Sequence, residues 1–335
     1  MIEDKNENDF KKKFVSYDFE IDDKLSAFIL KNNNNKKNNW RSNLPFLHNK
    51  KNKPIIWINN PQYRFNLVPL EVYNKLFLEN IPILISSCSE KLVPFFIKNK
   101  FESFKVGKEA ILNLNKEHFN KKSLVELINA GDKHGSITEL FYSEKNRLLL
   151  ENFKLKCIHG QEPQLKYFFN DKFLPNSRLF IFKDNKNNWE GGILISIKDN
   201  EKVFTDLILR KENSPRGTME TLIYFIFNKL KNEGFKTWSL GEVPYVIYDS
   251  KFFSKEFIIN FIGRRLRFAY NYKGLFDFKN KFSPEWENIY LCCKPELSLR
   301  TILKISWRSN WIKLIVKKTF IKIFKSFRIK VPAAD

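Results

Sequence analysis

Arg178–Lys183 (RLFIFK), Gly192–Lys198 (GILISIK) and Lys202–Leu209 (KVFTDLIL) are three apolar runs separated by Asp, Asn and Gly. Their length and punctuation read as a meander of antiparallel strands. A polar loop, Arg210–Arg216, follows, and then a helix over Thr218–Glu233. Met219, Leu222, Ile223, Ile226, Phe227 and Leu230 recur at the i, i+3, i+4, i+7 spacing of a buried helix face. Gly234 supplies the stop, because a left-handed residue closes the last turn. Thr237–Leu240 returns as a strand that ends at Gly241.

Outward from this core, the pattern on the N-terminal side again alternates strands with helices. Pro54–Asn59 and Ile81–Ser86 read as buried strands, and Phe104–Leu114 as another strand. Val68–Phe77, Ser89–Lys98, Ser123–Lys133 and Glu144–Lys154 have helical spacing. Residues 1–50 are rich in Lys and Asn, with charges that nearly cancel at +2, and are expected to form a partly disordered extension. The organisation expected is therefore an extension over 1–50, a first α/β unit over 51–155, a second over 156–297 and a tail over 298–335.

The 335 residues carry 59 Lys+Arg against 37 Asp+Glu, a net charge of +22. Such an excess favours an anionic partner: nucleic acid, a membrane surface or a phosphate-rich substrate. Apolar residues make up 43% of the chain, which rules out wholesale disorder. No apolar run reaches the ~20 residues needed to span a bilayer. The polar start, MIEDKNENDF, shows no secretory signal. Four cysteines (Cys88, Cys157, Cys292, Cys293) without a CxxC pair, and four scattered histidines, predict a reduced, cytoplasmic chain with no metal site. Lys, Asn and Phe are common everywhere, which looks like a coding bias. Glycine is scarce at 11 residues, and seven of them fall between Gly191 and Gly274.

The tail holds ten Lys/Arg against one Asp. Ile305, Ile312, Val316, Phe320, Ile323, Phe324 and Phe327 line up at helical spacing, with Lys313, Lys317, Lys318, Lys322, Lys325 and Arg328 on the other side. A basic amphipathic helix with Trp307 and Trp311 at its start suits an interfacial membrane anchor, with Lys317 and Lys318 meeting headgroups. Packing of the same helix on the protein, with a solvated basic face, fits the pattern too.

Strand, strand, strand, loop, helix, strand is the core order of an N-acetyltransferase-like fold, an α/β (α+β) architecture with a mostly antiparallel sheet flanked by helices. The loop Arg210-Lys-Glu-Asn-Ser-Pro-Arg-Gly217 differs from the Q/R-x-x-G-x-G/A pattern that cradles coenzyme A pyrophosphate. Three stretches carry a resemblance: Asp206–Arg210, Ser214–Glu220 and Gly234–Gly241. So does the longer block Tyr270–Leu291, an aromatic-Asn-aromatic-x-Gly-Leu run followed by Lys-x-Lys-Phe-x-Pro-x-Trp-x-x-x-Tyr-Leu. Together with the Gly-x-Glu-Ala motif in Phe104–Ala110, these resemble the C-terminal domain of bacterial phosphatidylglycerol lysyltransferases, the multiple peptide resistance factor family. The sequence departs from the family pattern at Glu220, where Asp is expected, and at Glu242-Val-Pro, where the family has Met-Ala-Pro.

The resemblance implies two tandem N-acetyltransferase-like units. It implies transfer of an aminoacyl group from aminoacyl-tRNA to a hydroxyl of a lipid such as phosphatidylglycerol, without a further cofactor, at the inner face of the membrane. Such a transfer needs a proton acceptor, donors for a tetrahedral oxyanion, and a negative group for the amino acid's ammonium. Asp206 is the expected ammonium binder or base and Arg210 the oxyanion or phosphate partner. Glu220 flanks the same loop, Gly217 and Thr218 offer backbone N–H groups, and Gly241 is a further candidate substrate-binding position. The plainer alternatives are a salt bridge for Asp206 and Arg210 and a dipole-favoured first-turn acid for Glu220. Lys273 and Lys279 are candidate tRNA or lipid phosphate contacts within an aromatic-rich stretch, which reads either as a base-stacking face or as core. Two other functions remain open: an acyl-CoA-dependent N-acyltransferase, and a non-catalytic basic protein that binds membranes or RNA.

Overall fold

The computed structural model describes residues 56–59, 82–165, 172–197, 201–246, 257, 261 and 263–328, without the side chains of 56–59 and 324–328. The extension over 1–50, the helix expected at Val68–Phe77 and the Phe324 and Phe327 side chains lie outside the described residues.

The chain divides into two compact units, one of residues 1–104 with 290–302 and the other of 105–289 with 303–335. The segment 105–155, assigned by sequence to the first half, thus sits in the same unit as 156–289. In the first unit, β1 (Ile56–Asn59) pairs in parallel with β2 (Ile83–Ser89), whose first six residues are buried. Helix α1 (Val93–Lys98) begins with Pro94 in its first turn, where the missing N–H costs nothing. No cysteine forms a disulfide. A hydrogen bond with Cys88, with burial, pushes the Cys292 thiol well above its ordinary range, which makes it a poor nucleophile.

The second unit holds the meander. Its strands run in the order β3 (Glu102–Asn113), β8 (Thr237–Pro244), β7 (Lys202–Arg210), β6 (Trp189–Ile197), β5 (Ser177–Asp184), β4 (Gly135–Leu140). The pairs from β4 to β7 are antiparallel, β7 with β8 is parallel, and β3 with β8 is antiparallel. A parallel step needs a crossover, and α4 (Thr218–Asn232) provides it. Strand β4 escapes the sequence reading because GSITEL is short and only half-buried.

The predicted apolar face of α4 is the core. Leu222, Ile223, Ile226 and Leu230 are fully buried against Phe180, Phe182, Ile193, Ile195 and Val203 of the sheet and Leu124 and Ile128 of α2 (Lys122–Asp132). Truncating one such leucine to alanine typically costs about 2–5 kcal/mol. On the opposite face, Leu150 and Phe153 of α3 (Glu144–Lys156) are buried; Leu150 clusters with Leu179, Ile181 and Leu194. The last turn of α4 is pinned to the sheet by Arg178, which donates to Glu139 at 2.6 Å and to both oxygens of Glu233. Burial pushes the Glu139 carboxyl up, but hydrogen bonds from Arg178 and Lys229 outweigh it and hold the group below its ordinary value.

Two glycines set how α4 enters. Gly217 caps the helix with φ +88°, and a Cβ there would stand 1.9 Å from the Leu127 carbonyl oxygen of α2. Gly234 ends the same helix with φ +86° and open space around it. The Gly217→Ala substitution therefore meets both the left-handed strain of ~1–2 kcal/mol and a backbone clash, whereas Gly234→Ala meets only the strain. In urea denaturation, Gly217→Ala should cost at least ~2 kcal/mol more than Gly234→Ala; equal losses would show that the α2–α4 contact yields freely.

Candidate functional site

The parallel pairing of β7 with β8 lasts three residues, Lys202–Phe204 against Thr237–Ser239, and then the strands part. Both strands carry a bulge at that level. On β7, Thr205 faces Ile195 and Leu207 faces Leu194, so Asp206 is the extra residue. On β8, Glu242 faces Glu109 and Ser239 faces Ile111, so Leu240 and Gly241 share the single Ala110. Gly241 takes φ +87°, a conformation that glycine adopts without cost. Bulges re-aim side chains and end pairing, and here they open the sheet.

Several polar groups converge at this opening. Lys279, from α5 (Tyr272–Asn280), is 3% exposed. Its Nζ donates to the Glu242 carbonyl at 3.0 Å and lies 3.4 Å from where a Gly241 Cβ would stand. Ser239, fully buried, donates its hydroxyl to Glu109 Oε1 at 2.5 Å and accepts from the Gly241 N–H at 3.0 Å. Burial pushes the Lys279 amine down to about 7, against the opposing pull of the Glu242 and Glu109 carboxylates. Burial, with the same Glu242 charge, pushes the Tyr270 phenol up to about 12. Helix α5 is aimed by its cap: the Asn271 side chain accepts from the Gly274 N–H at 3.1 Å.

Of the expected residues, Asp206 lies half-buried at the β7 bulge. Arg210, four residues on and exposed, is in register with Gly191, where a Cβ would meet Thr218 and Met219 of α4. Beyond the bulge Ile208 packs on the core under α4, and the two-residue period puts Arg210 on that same side of β7. Gly241 belongs to the opening and Lys279 joins it, as a buried amine rather than a surface cation.

The other residues sit elsewhere. Glu220, 7% exposed, accepts an ion pair from Lys281 at 2.8 Å. Gly217 and Thr218 are buried where α4 crosses α2, and Thr218 gives its N–H and hydroxyl to the Pro215 carbonyl. The first turn of α4 is therefore closed over by protein and is no open phosphate cradle. Lys273 pairs with Asp277 on the surface at 2.6 Å. In the aromatic block, Phe276 stacks on Trp286 at 4.6 Å, Phe282 is fully buried, and Phe278 and Trp286 pack on the same core. Phe282 is thus core, while Phe276, Phe278 and Trp286 are half-buried around it.

Glu109, Ser239 and Glu242 are the residues the sequence reading passed over. Glu109 and Glu242 lay within quoted motifs, Gly107-Lys-Glu-Ala110 and Gly241-Glu-Val-Pro244. Only the cross-strand register between β3 and β8 puts them side by side. Elsewhere, a groove of about 470 Å³ runs along α4 past Tyr224, Asn228 and Lys229, and none of these cluster residues lines it. Among the described residues, no group of His, Cys, Asp and Glu is arranged to hold a metal ion.

Residues 164–293 match the family "Phosphatidylglycerol lysyltransferase, C-terminal". The phosphatidylglycerol lysyltransferase of Bacillus subtilis (strain 168) is 24% identical over 253 residues, covering 70% of this chain and 29% of that protein. The chain thus spans under a third of that relative's length. Among solved structures, L-PGS from Bacillus licheniformis superposes with a TM-score of 0.58 at 18% identity, over 81% of this chain and 83% of the other. The C-terminal domain of a putative lysylphosphatidylglycerol synthetase from Agrobacterium fabrum gives 0.57 at 17% identity, over 78% and 82%. At these identities the likeness establishes the fold: a mixed α/β sheet flanked by helices.

An amine whose folded value lies near 7 and whose unfolded value lies near 10.5 binds fewer protons when folded. Its burial penalty is fully present below pH 7 and is relieved as pH rises from 7 toward 10.5. The stability of the native chain relative to a Lys279→Met variant should accordingly grow across that window in denaturant titrations. A difference that stays flat from pH 7 to 10 would mean that the amine keeps its proton in the fold.

Proposed function

We propose that the chain is an aminoacyltransferase that moves an aminoacyl group from aminoacyl-tRNA to a lipid hydroxyl such as that of phosphatidylglycerol. The observation that carries this reading is the opening between β7 and β8, where Glu109, Glu242 and the buried Lys279 amine meet beside the Asp206 bulge, all but Glu109 within the segment that matches the lysyltransferase family. In the reaction, the lipid hydroxyl oxygen attacks the ester carbonyl. A tetrahedral oxyanion forms, and the terminal ribose oxygen of the tRNA leaves with a proton. Three carboxylates, Asp206, Glu109 and Glu242, stand ready for two tasks: accepting the hydroxyl proton and holding the amino acid's ammonium. Arg210 faces the developing negative charge or a substrate phosphate. The donor is a polyanion and the acceptor sits in an anionic lipid surface, both of which the net charge of +22 attracts.

A coenzyme A donor fits less well. Its pyrophosphate would want the first turn of α4, and that turn is buried against α2. Incubation of the purified chain with labelled aminoacyl-tRNAs and phosphatidylglycerol vesicles should yield labelled lipid. No transfer from any common aminoacyl-tRNA, together with saturable coenzyme A binding, would overturn the proposal in favour of the acyl-CoA reading. In an active preparation, Asp206→Ala should lower turnover at least ~100-fold, as loss of a positioned acid–base or charge partner does, and Lys273→Ala should leave it within about twofold, as an exposed ion pair predicts. Near-normal turnover of Asp206→Ala would return that residue to a purely structural place in the bulge.

A further inference from the structure

The two C-terminal helices divide their surfaces between the protein and the solvent. Helix α6 (Leu299–Arg308) and helix α7 (Trp311–Arg328) are joined at Asn310, which adopts φ +62° and donates its side-chain amide to the Gln164 carbonyl at 2.9 Å. One side of α7 is latched down. Leu314 is buried, Trp311 packs edge-on against Tyr270 at 6.1 Å, and Lys318 bonds Glu162 at 2.5 Å. Lys317 reaches the Gln161 carbonyl at 2.5 Å. Of the four residues expected to contact a membrane, Trp311, Lys317 and Lys318 are therefore engaged by the protein, and Trp307 is 64% exposed.

What remains outside includes large apolar side chains. Leu303 and Trp307 are 62% and 64% exposed, and Val316 and Phe320 are 47% and 56% exposed. Each pair is spaced i, i+4, so each helix shows a stripe of apolar side chains to water. Soluble surfaces scatter such residues singly; clustered ones mark a contact site. The surrounding charge identifies the occupant, since residues 298–335 hold ten Lys/Arg and one Asp. A second copy would bring an equally basic stripe and be repelled. An RNA backbone would satisfy the cations but leave Leu303, Trp307 and Phe320 in water. An anionic lipid surface satisfies both, with apolar side chains entering the acyl boundary and Lys313 and Arg308 staying at the headgroups.

We infer that the exposed stripes of α6 and α7 form a docking face for an anionic bilayer, held in a fixed orientation by the latch to Gln161, Glu162, Gln164 and Tyr270. This concerns binding alone and stands whether or not the chain transfers aminoacyl groups. The full chain should float with vesicles of phosphatidylcholine and phosphatidylglycerol, fail to float with phosphatidylcholine alone, and detach as salt is raised. The Leu303→Ser, Trp307→Ser, Phe320→Ser triple variant should lose at least about tenfold in vesicle affinity while keeping the thermal midpoint of the parent, since all three side chains are exposed. Lys313→Glu should weaken binding to anionic vesicles in a salt-dependent manner. The inference is overturned if the parent chain binds neither vesicle, or if the triple variant floats as well as the parent. It is equally overturned if sedimentation shows the face joining two copies without lipid, or if only tRNA is bound through it.

Discussion

The early parting of two parallel strands governs this molecule. If β7 and β8 stayed paired beyond Phe204 and Ser239, their backbone groups would satisfy one another and the sheet would close. The two bulges prevent this, one through an extra residue at Asp206 and one through Gly241 in a left-handed conformation. A sheet opened in its interior exposes polar backbone and needs groups to meet it. Lys279 answers the Glu242 carbonyl, and Ser239 answers the Gly241 N–H. The three carboxylates of the proposed reaction, Asp206, Glu109 and Glu242, stand at or beside those bulges.

Much of this was legible beforehand. The strand–strand–strand–helix–strand order was clear, because each run was long, apolar and bounded by turn residues, and the α4 stripe predicted the core almost residue for residue. Strand β4 and the segment Glu285–Lys294 were not, because their outward residues are polar and only half-covered. The fold-level resemblance rested on the closing block, and the family match over 164–293 agrees with it.

The candidate site was read less well, for one reason: its contacts are long-range. Glu109 and Ser239 are 130 residues apart, and Lys279 and Glu242 are 37 apart. No local spacing announces such pairs. Local reasoning favoured the loop between β7 and α4, where the general physics of helix N-termini suggested an anion site, and overlooked that Gly131 and Gly217 let α2 close over that end. The same limit appears in Lys279. A lysine in a Lys-rich chain reads as solvated until the fold shows that it is 3% exposed.

The scarcity of glycine has a consequence of its own. Each of the eleven either holds a positive φ or would place a Cβ closer than 3.0 Å to a neighbouring atom. None is spare. In a chain whose composition leans so heavily toward Lys, Asn and Phe, glycine is kept for positions where a side chain would meet strain or a neighbouring atom. The glycines amount to an inventory of the fold's left-handed turns and tightest clearances.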